Sequence, residues 1–341
     1  MNAAASLSLA VLAVLADGVA RSPSAICAHA GGTPQELERA LARLEAAGLP
    51  LRRDALLRVS LERPFIPLDA GSIEQRLEGL GIATRVEVEA IIDSTNAELL
   101  RRARSAPALA VPAELVILSA ELQTAGRGRQ GRAWSAQAGS SLAVSFGRAL
   151  PLGLGGLAGL SLMCGLAVRD AVERSGVTLD LKWPNDLLWG GQKLGGILIE
   201  AHPLGRTQSW VVIGVGLNVA PDPARLAALS QPAQGTLPAT DLTSAGADAP
   251  VDRNRLVAAL ADTLSMRIEQ FTKHGFGPYI ADWNDHHAYR DLPVEMLERG
   301  RVVQYGIARG VDEQGRLCLE TASGAQALVA GDVSLRPGSR A

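Results

Sequence analysis

GRGRQGR, residues 126–132, decides between two folds, because its three glycines match the G-x-G-x-x-G pattern of dinucleotide-binding proteins. That fold needs a strand directly before the glycines and a helix directly after them. The run LVILSAEL at 115–122 predicts the strand, but SLAVSFGRAL at 141–150 predicts a second strand in place of the helix. No Lys-Ser or Lys-Thr pair follows the glycines, so a P-loop is excluded as well. We conclude that this loop does not bind a dinucleotide in the Rossmann manner.

The same loop collects Arg127, Arg129 and Arg132 in a chain whose net charge is only −2. Guanidinium groups bind phosphate and carboxylate, and glycines let backbone N–H groups approach an anion closely. Because three like charges repel one another, we expect the loop to be disordered until an anion binds. On composition alone, a solvated basic loop without a ligand is an equal alternative.

Composition indicates a globular protein of two or three domains, with 341 residues, 47% hydrophobic residues and 20% charged residues. The 33 basic and 35 acidic residues exclude a general attraction to nucleic acid or anionic lipid. Cys27, Cys164 and Cys318 lie far apart and without a metal-binding spacing, so we expect buried thiols in a reducing cytosol.

Two apolar stretches could be taken for membrane segments. AAASLSLAVLAVLA near the N-terminus has no preceding Lys or Arg, which a signal peptide needs. The uncharged run 149–168 is broken in its first third by a proline and three glycines, which leaves a helix too short to span a bilayer. We therefore predict a buried helix, a cytoplasmic location and no membrane partner.

The N-terminal region predicts three helices and a hairpin, as in a winged helix-turn-helix. The helices cover about 5–16, 24–29 and 34–47, and two short strands lie within 50–60. For residues 63–69 the sequence predicts a linker.

The rest of the chain predicts a mixture of strands and helices, hence an α+β fold. Short turns separate the strands after residue 178, which predicts that neighbouring strands are antiparallel. A surface loop is predicted at 220–250, and a helix is predicted to start near Asn254. The last ~50 residues predict a small SH3-like β-barrel.

Four further motifs accompany the arginine loop. They are DSTN at 93–96, KWPNDL at 182–187, KLGGIL at 193–198 and GVGLNV at 214–219. In this order and spacing they resemble the biotin protein ligase family, which includes the biotin-operon repressor. The resemblance covers about 85–290 and extends weakly to both flanks. It implies a winged helix-turn-helix at 1–62, a mixed-sheet catalytic domain of biotin/lipoate ligase type at 66–290, and an SH3-like C-terminal barrel at 291–341.

The resemblance also implies a two-step reaction. Biotin and ATP, with Mg²⁺, give biotinyl-5′-adenylate, and a lysine of the biotin carboxyl carrier protein of acetyl-CoA carboxylase then takes the biotin. The first step needs no protein nucleophile, since a carboxylate is already competent, but it needs two anions held in line. A lipoate–protein ligase and a biotin-sensing DNA-binding regulator with little catalysis are the alternatives.

The resemblance assigns roles to individual residues. The biotin-binding set is Ser94, Thr95, Asn96, Gln123, Arg127, Gly128, Arg129, Lys193, Gly195, Gly196 and Gly214. The ATP-binding set is Arg127, Arg129, Arg132, Trp134, Lys182, Asn185 and Asn218, and the catalytic set is Lys193, Arg127, Arg129 and Asp186. Asp186 is also the expected Mg²⁺ ligand and the hypothetical acceptor of the lysine proton. Taken alone, Ser94-Thr95 is an ordinary helix cap, Pro-Asn-Asp a turn, and Lys193 a surface lysine.

The flanking regions leave more open. The expected recognition helix carries Glu36, Glu38 and Glu45 against Arg39 and Arg43, which is a poor charge balance for phosphate contact. Operator DNA binding therefore stays an open alternative, and the family implies a homodimer through the central sheet. Arg309 or Arg336 of the barrel is expected near the ATP phosphates.

Overall fold

The computed structural model describes residues 3–105, 114–221, 223–230, 237–248, 250–298, 301–329 and 333–338. Its N-terminal part contains α1 (Ala3–Leu15), α2 (Pro23–Ala30), α3 (Pro34–Ala46) and a hairpin of β1 (Leu51–Arg53) and β2 (Val59–Leu61). Thr33 caps α3 in a capping box with Glu36. This order of elements is that of the predicted winged helix.

Seven of the described strands form one mixed sheet in the order β3-β4-β5-β9-β8-β7-β6. The strands are β3 (Thr84–Ile92), β4 (Leu115–Gln123), β5 (Ser141–Leu150), β6 (Asp180–Lys182), β7 (Asp186–Trp189), β8 (Gln192–Pro203) and β9 (Ser209–Asn218). The pair β3–β4 is parallel because helix α5 (Thr95–Ser105) connects the two strands, whereas the other neighbours are antiparallel. The predicted α+β class and antiparallel turns are confirmed.

Helices cover both faces of this sheet. On one face α4 (Ala70–Glu78), α6 (Leu160–Glu173) and α8 (Arg253–His274) bury alternate side chains such as Val144 and Val215. On the other face α5 packs on Val116, Leu118 and Val212. The apolar run at 149–168 thus contributes to the buried helix α6, and no helix within the described ranges is long and apolar enough to cross a membrane.

The C-terminal part follows α9 (Ile280–Asp285) and contains a five-stranded antiparallel sheet in the order β13-β12-β11-β10-β14. Its strands are β10 (Pro293–Glu298), β11 (Arg301–Val311), β12 (Leu317–Thr321), β13 (Gly324–Leu328) and β14 (Val333–Pro337). The indole Nε1 of Trp183 donates a hydrogen bond to the carbonyl of Gly315 at 3.1 Å. This buried contact fixes the C-terminal sheet beside the KWPND segment.

The segment 220–250, expected as a surface loop, is partly built into the fold. It contains α7 (Pro223–Leu229), and Thr240, Asp241 and Leu242 are almost fully buried. Lys193 N donates to the carbonyl of Pro238 at 2.7 Å, and Thr240 N donates back to the carbonyl of Lys193 at 2.9 Å. A composition rich in Pro, Ala, Gly and Ser predicts a loop, but it does not show that the loop is hydrogen-bonded to β8.

A buried ion pair fixes the linker between the N-terminal part and the sheet. Arg253 on α8 and Glu121 on β4 are 1% and 0% exposed, with Nη1 and Oε2 at 2.8 Å. Arg253 Nη2 also donates to the carbonyl of Ile66 at 2.9 Å, and Glu121 Oε1 accepts from Leu68 N at 2.7 Å. The linker is therefore docked on the seven-stranded sheet and α8 by hydrogen bonds to a buried ion pair.

Candidate functional site

One cavity, of about 420 Å³, gathers the predicted site residues. It lies between the arginine loop, the start of α5 and the strands β7, β8 and β9. The predicted residues that line it are Ser94, Thr95, Asn96, Gln123, Arg127, Gly128, Arg129, Arg132, Trp134, Lys182, Asn185, Asp186, Lys193, Gly196, Gly214 and Asn218. Motifs far apart in the sequence thus form one concave surface.

Gly195 is the predicted residue that does not line the cavity. A Cβ at Gly195 would lie against the carbonyl oxygen of Gly216 and 2.6 Å from Leu217 Cδ2, so glycine allows β8 and β9 to approach each other. Gly214 and Gly216 do face the cavity. A Cβ at Gly214 would collide with the Asn96 amide, and one at Gly216 would lie 2.5–2.9 Å from the Trp134 indole. Sequence analysis did not assign Gly216.

Uncharged polar groups form one end of the cavity. Thr95 N and Thr95 Oγ1 donate to Gln123 Oε1 at 2.9 and 3.2 Å. The hydroxyl of Ser145, which no motif indicated, lies 2.7 Å from Thr95 Oγ1 and donates to Asn96 Oδ1 at 2.6 Å. Ser94 Oγ accepts from Ala97 N at 3.4 Å, as a helix cap does. This network fixes the orientation of each group before any ligand binds.

The protein itself takes three of the four hydrogen-bonding positions of the Asn96 amide. Its Nδ2 donates to the carbonyl of Leu198 and to Glu200 Oε2, each at 3.1 Å, while its Oδ1 accepts from Ser145. Asn96 is 4% exposed. The side chain therefore orients its neighbours on β5 and β8, and it has little capacity left for a direct bond to a ligand.

Two lysines share one carboxylate at the opposite end of the cavity. Lys182 Nζ donates to Asp186 Oδ2 at 2.6 Å, and Lys193 Nζ donates to Asp186 Oδ1 at 2.5 Å. Burial lowers the pKa of Lys182, which is only 6% exposed, and Asp186 opposes that change. Burial alone would raise the pKa of Asp186, but the two ammonium groups outweigh it and hold that pKa well below its usual range.

The arginine loop closes over this cationic end. Its backbone forms a turn in which Gly128 N donates to the carbonyl of Arg132 at 2.7 Å. Arg129 Nη1 donates to Asn185 Oδ1 at 3.3 Å, and Arg127 Nη2 lies 3.4 Å from both carboxylate oxygens of Glu200. All three arginines line the cavity. The expected disorder of the unliganded loop stays a prediction.

Comparison with known proteins identifies the family. Residues 90–218 match the Biotin/lipoate A/B protein ligase family, and residues 293–336 match the Biotin protein ligase C terminal domain. The chain is 38% identical over 273 residues to the biotin--[acetyl-CoA-carboxylase] ligase of Mycobacterium tuberculosis, across 78% of this chain and 95% of that protein. The chain belongs to the biotin protein ligase family.

Two further similarities extend over the flanking parts and the fold. The Bifunctional ligase/repressor BirA of Salmonella typhimurium is 31% identical over 332 residues, across 96% of this chain and 97% of that protein. The biotin protein ligase from Aquifex aeolicus, solved in complex with biotin and ATP, is 26% identical with a TM-score of 0.58, across 74% of this chain and 99% of that one. The family membership agrees with the resemblance drawn from the motifs.

In the empty cavity of this biotin ligase, Asp186, the expected magnesium ligand, is already paired with two lysines. Each of its carboxylate oxygens accepts a hydrogen bond from a lysine, so a metal ion would have to break an ion pair. Among the described residues, no cluster of three or more His, Cys, Asp or Glu side chains could hold a metal ion. Its lowered pKa also makes Asp186 a weak acceptor for the proton of an attacking lysine.

The barrel arginines do not reach the cavity of this ligase. Arg309 pairs with Asp291 at 2.8 Å and with Glu320 at 2.6 Å, and neither Arg309 nor Arg336 lines the site. The expected approach of these arginines to ATP phosphates stays a prediction.

Proposed function

We propose that the protein joins biotin to ATP, forming biotinyl-5′-adenylate and pyrophosphate. It then transfers biotin to a lysine of the biotin carboxyl carrier protein of acetyl-CoA carboxylase. The observation that carries this proposal is a single cavity with an uncharged hydrogen-bonding end at Thr95 and Gln123 and a cationic end at Arg127, Arg129 and Lys193. Biotin has the same division, since its ureido ring is neutral and its valeryl chain ends in a carboxylate.

The uncharged end suits the ureido ring. Hydroxyl and amide groups of Ser94, Thr95 and Gln123 offer donors and acceptors in fixed positions. Gly196 and Gly214 keep the floor of the cavity free of side chains, and Ala143 and Val144 add apolar surface for the ring system.

The cationic end suits two anions held in line. The biotin carboxylate would attack the α-phosphate while Arg127, Arg129 and Lys193 stabilise the negative charge that both groups bring together. Lys193 is 31% exposed at its side chain, so its ammonium can turn from Asp186 toward a phosphate without entering a closed core. No protein nucleophile takes part, and the loop excludes water from the adenylate.

The remaining pocket residues suit a nucleotide. The Trp134 indole lies against Gly216, where it offers a flat surface for adenine. Lys182, Asn185 and Asn218 line the same side. Magnesium would enter as MgATP, coordinated by phosphate oxygens and water, because the one carboxylate among the described residues that line the cavity, Asp186, is paired with two lysines.

We also propose a cytoplasmic location. All three cysteines are free in the structure, and Cys164 is fully buried. Unpaired thiols are typical of a reducing compartment, where the carrier protein and ATP are also expected.

The test is ATP–pyrophosphate exchange, run with biotin, with lipoate and with neither. We expect exchange only with biotin, and a loss of roughly 100-fold or more in Lys193→Ala. Lys273→Ala, an exposed lysine paired with Glu269 on α8, is the matched control and should leave exchange unchanged. Exchange with lipoate and not with biotin would indicate that the protein is a lipoate ligase. Biotin binding without exchange would indicate a sensor.

A second function as a repressor is favoured by the winged-helix order of elements and by the relative named as a bifunctional ligase/repressor. The wing, however, has little free positive charge, because Arg52 pairs with Glu62, Arg53 with Glu45 and Arg58 with Asp54. We propose that duplex DNA binds only weakly. The check is the salt dependence of binding by adenylate-loaded protein, where a steep slope would contradict this proposal.

Homodimer formation through the sheet is proposed from the edge of β8. This strand pairs with β7 only up to Gly196, so residues 198–203 have no partner strand on that side within the described ranges. An unpaired edge is a surface on which a second copy can add its own strand. Sedimentation with and without biotinyl-adenylate would test this, and a monomer under both conditions would contradict it.

A further inference from the structure

Glu200 is an acidic side chain that lines a second recess beside the cavity, and no motif gave it a role. It lies on β8, where its Oε2 accepts from Asn96 Nδ2 at 3.1 Å, and both carboxylate oxygens lie 3.4 Å from Arg127 Nη2. Asn96 belongs to the uncharged end of the cavity, while Arg127 belongs to the loop. Glu200 therefore connects the fixed part of the site with the part expected to move.

The arginine loop lies over β8 without packing tightly on it. A second recess, of about 340 Å³, separates the loop residues 127–131 from Leu198 and Glu200. The contact between Arg127 and Glu200 spans this recess. The loop therefore has room to shift once that contact breaks.

The proposed substrate competes for the same guanidinium group. If biotin binds as proposed above, its carboxylate approaches Arg127, which Glu200 already holds. Two carboxylates next to one guanidinium repel each other, so the arrival of the second weakens the long contact that the first one makes. We propose that Glu200 is a positioning residue that holds Arg127 while the cavity is empty and releases it to the carboxylate of biotin. This inference rests on the proposed function.

The effect is expected to be modest, because the contact is long and partly exposed. The side chains of Arg127 and Glu200 are 46% and 26% exposed. Ion pairs of this kind change an equilibrium by about two- to fivefold. Removing the negative charge should therefore strengthen biotin binding by about two- to fivefold, since the ligand no longer displaces a carboxylate.

The experiment measures binding of biotin and of biotinamide to Glu200→Gln by calorimetry. Glutamine can still accept from Asn96, so the variant removes the charge and keeps that hydrogen bond. Biotinamide lacks the carboxylate and should bind equally well to both proteins. Glu98→Gln is the matched control, because Glu98 also pairs with arginine and its side chain is also 26% exposed. It should bind both ligands as the unmodified protein does.

A second measurement tests the contact between Arg127 and Glu200 in the absence of any ligand. Amide exchange at residues 126–132 of the empty protein should be about two- to fivefold faster in Glu200→Gln. If that variant does not fold, raising the salt concentration on the unmodified protein should speed exchange in the same loop, because salt screens the ion pair.

Three outcomes would overturn the proposal. They are unchanged biotin affinity together with unchanged loop exchange, an equal gain for biotinamide, or the same gain in Glu98→Gln. Failure of the proposed function has a different signature, since the unmodified protein would then bind neither biotin nor biotinamide. In that case the loop exchange alone decides whether Glu200 holds Arg127.

Discussion

Replacing His287 with phenylalanine should make the protein more resistant to acid. The His287 ring is 6% exposed and packs on Trp283, with ring centroids 4.6 Å apart. Neither ring nitrogen has a hydrogen-bond partner within the described residues. The backbone around it extends the sheet, since Leu181 N donates to the carbonyl of His286 at 2.8 Å. A charge on this ring would thus form in an apolar place beside the strand that carries Lys182.

The magnitude follows from the titration of the ring. Burial lowers the pKa of His287 from its usual 6.5 to about 4, with Arg290 acting in the same direction and Asp291 opposing. Between these two values the unfolded chain binds a proton that the folded protein does not, so stability falls as the pH falls. The loss in free energy of unfolding is about 2 kcal/mol at pH 5 and about 3 kcal/mol below pH 4.

The assay is urea unfolding, followed by tryptophan fluorescence at pH 7.5 and pH 5. The unmodified protein should lose about 2 kcal/mol more than His287→Phe between the two conditions. Ala288→Gly, beside it, is the control, because it weakens the same strand pairing without a titrating group and should lower stability equally at both pH values. Equal pH dependence of His287→Phe and the unmodified protein would refute the reasoning.

Three other predictions concern the cavity and its support. Gly216→Ala should raise the KM for ATP at least about tenfold in pyrophosphate exchange while biotinamide binding stays unchanged, because the new methyl group would displace the Trp134 indole. Arg253→Met should cost about 3–5 kcal/mol in urea unfolding by leaving Glu121 charged and buried, and Glu121→Leu in the same chain should recover much of it. Amide exchange at residues 126–132 should be faster in the empty protein, where Glu200 holds the loop only weakly, than with biotin and ATP. Slow exchange without ligand would contradict the expected disorder.

The sequence predicted the parts of the site that lie within continuous motifs. KWPND and KLGGIL each place several functional groups on adjacent residues, and the apolar runs at 115–122 and 141–150 define β4 and β5. Ser145 could not be recognised from the sequence, because both faces of β5 are covered. A strand of this kind shows no alternation of apolar and polar residues from which an inward-facing serine would stand out. Its role depends on Asn96, which is 49 residues away in sequence.

Contacts between distant motifs also changed the interpretation of single residues. Asp186 is a turn residue next to Asn185 in the sequence, and only the fold brings Lys182 and Lys193 to its two oxygens. The need for glycine at position 195 is also visible only in the fold, because the carbonyl oxygen of Gly216 that it approaches belongs to another strand. Local patterns identify which residues matter, whereas the partner of each residue depends on strand register.

The charges of the empty cavity explain how a chain of net charge −2 can hold a cationic site. Asp186 accepts hydrogen bonds from Lys182 and Lys193 on separate oxygens, so the two ammonium groups already flank a pair of negative oxygens. A phosphate presents paired oxygens of similar spacing and can take the place of that carboxylate for Lys193. Burial lowers the pKa of Lys182, and Asp186 opposes that change by favouring the charged ammonium. In the empty cavity the Asp186 carboxylate thus occupies the place beside Lys193 that we propose for a phosphate.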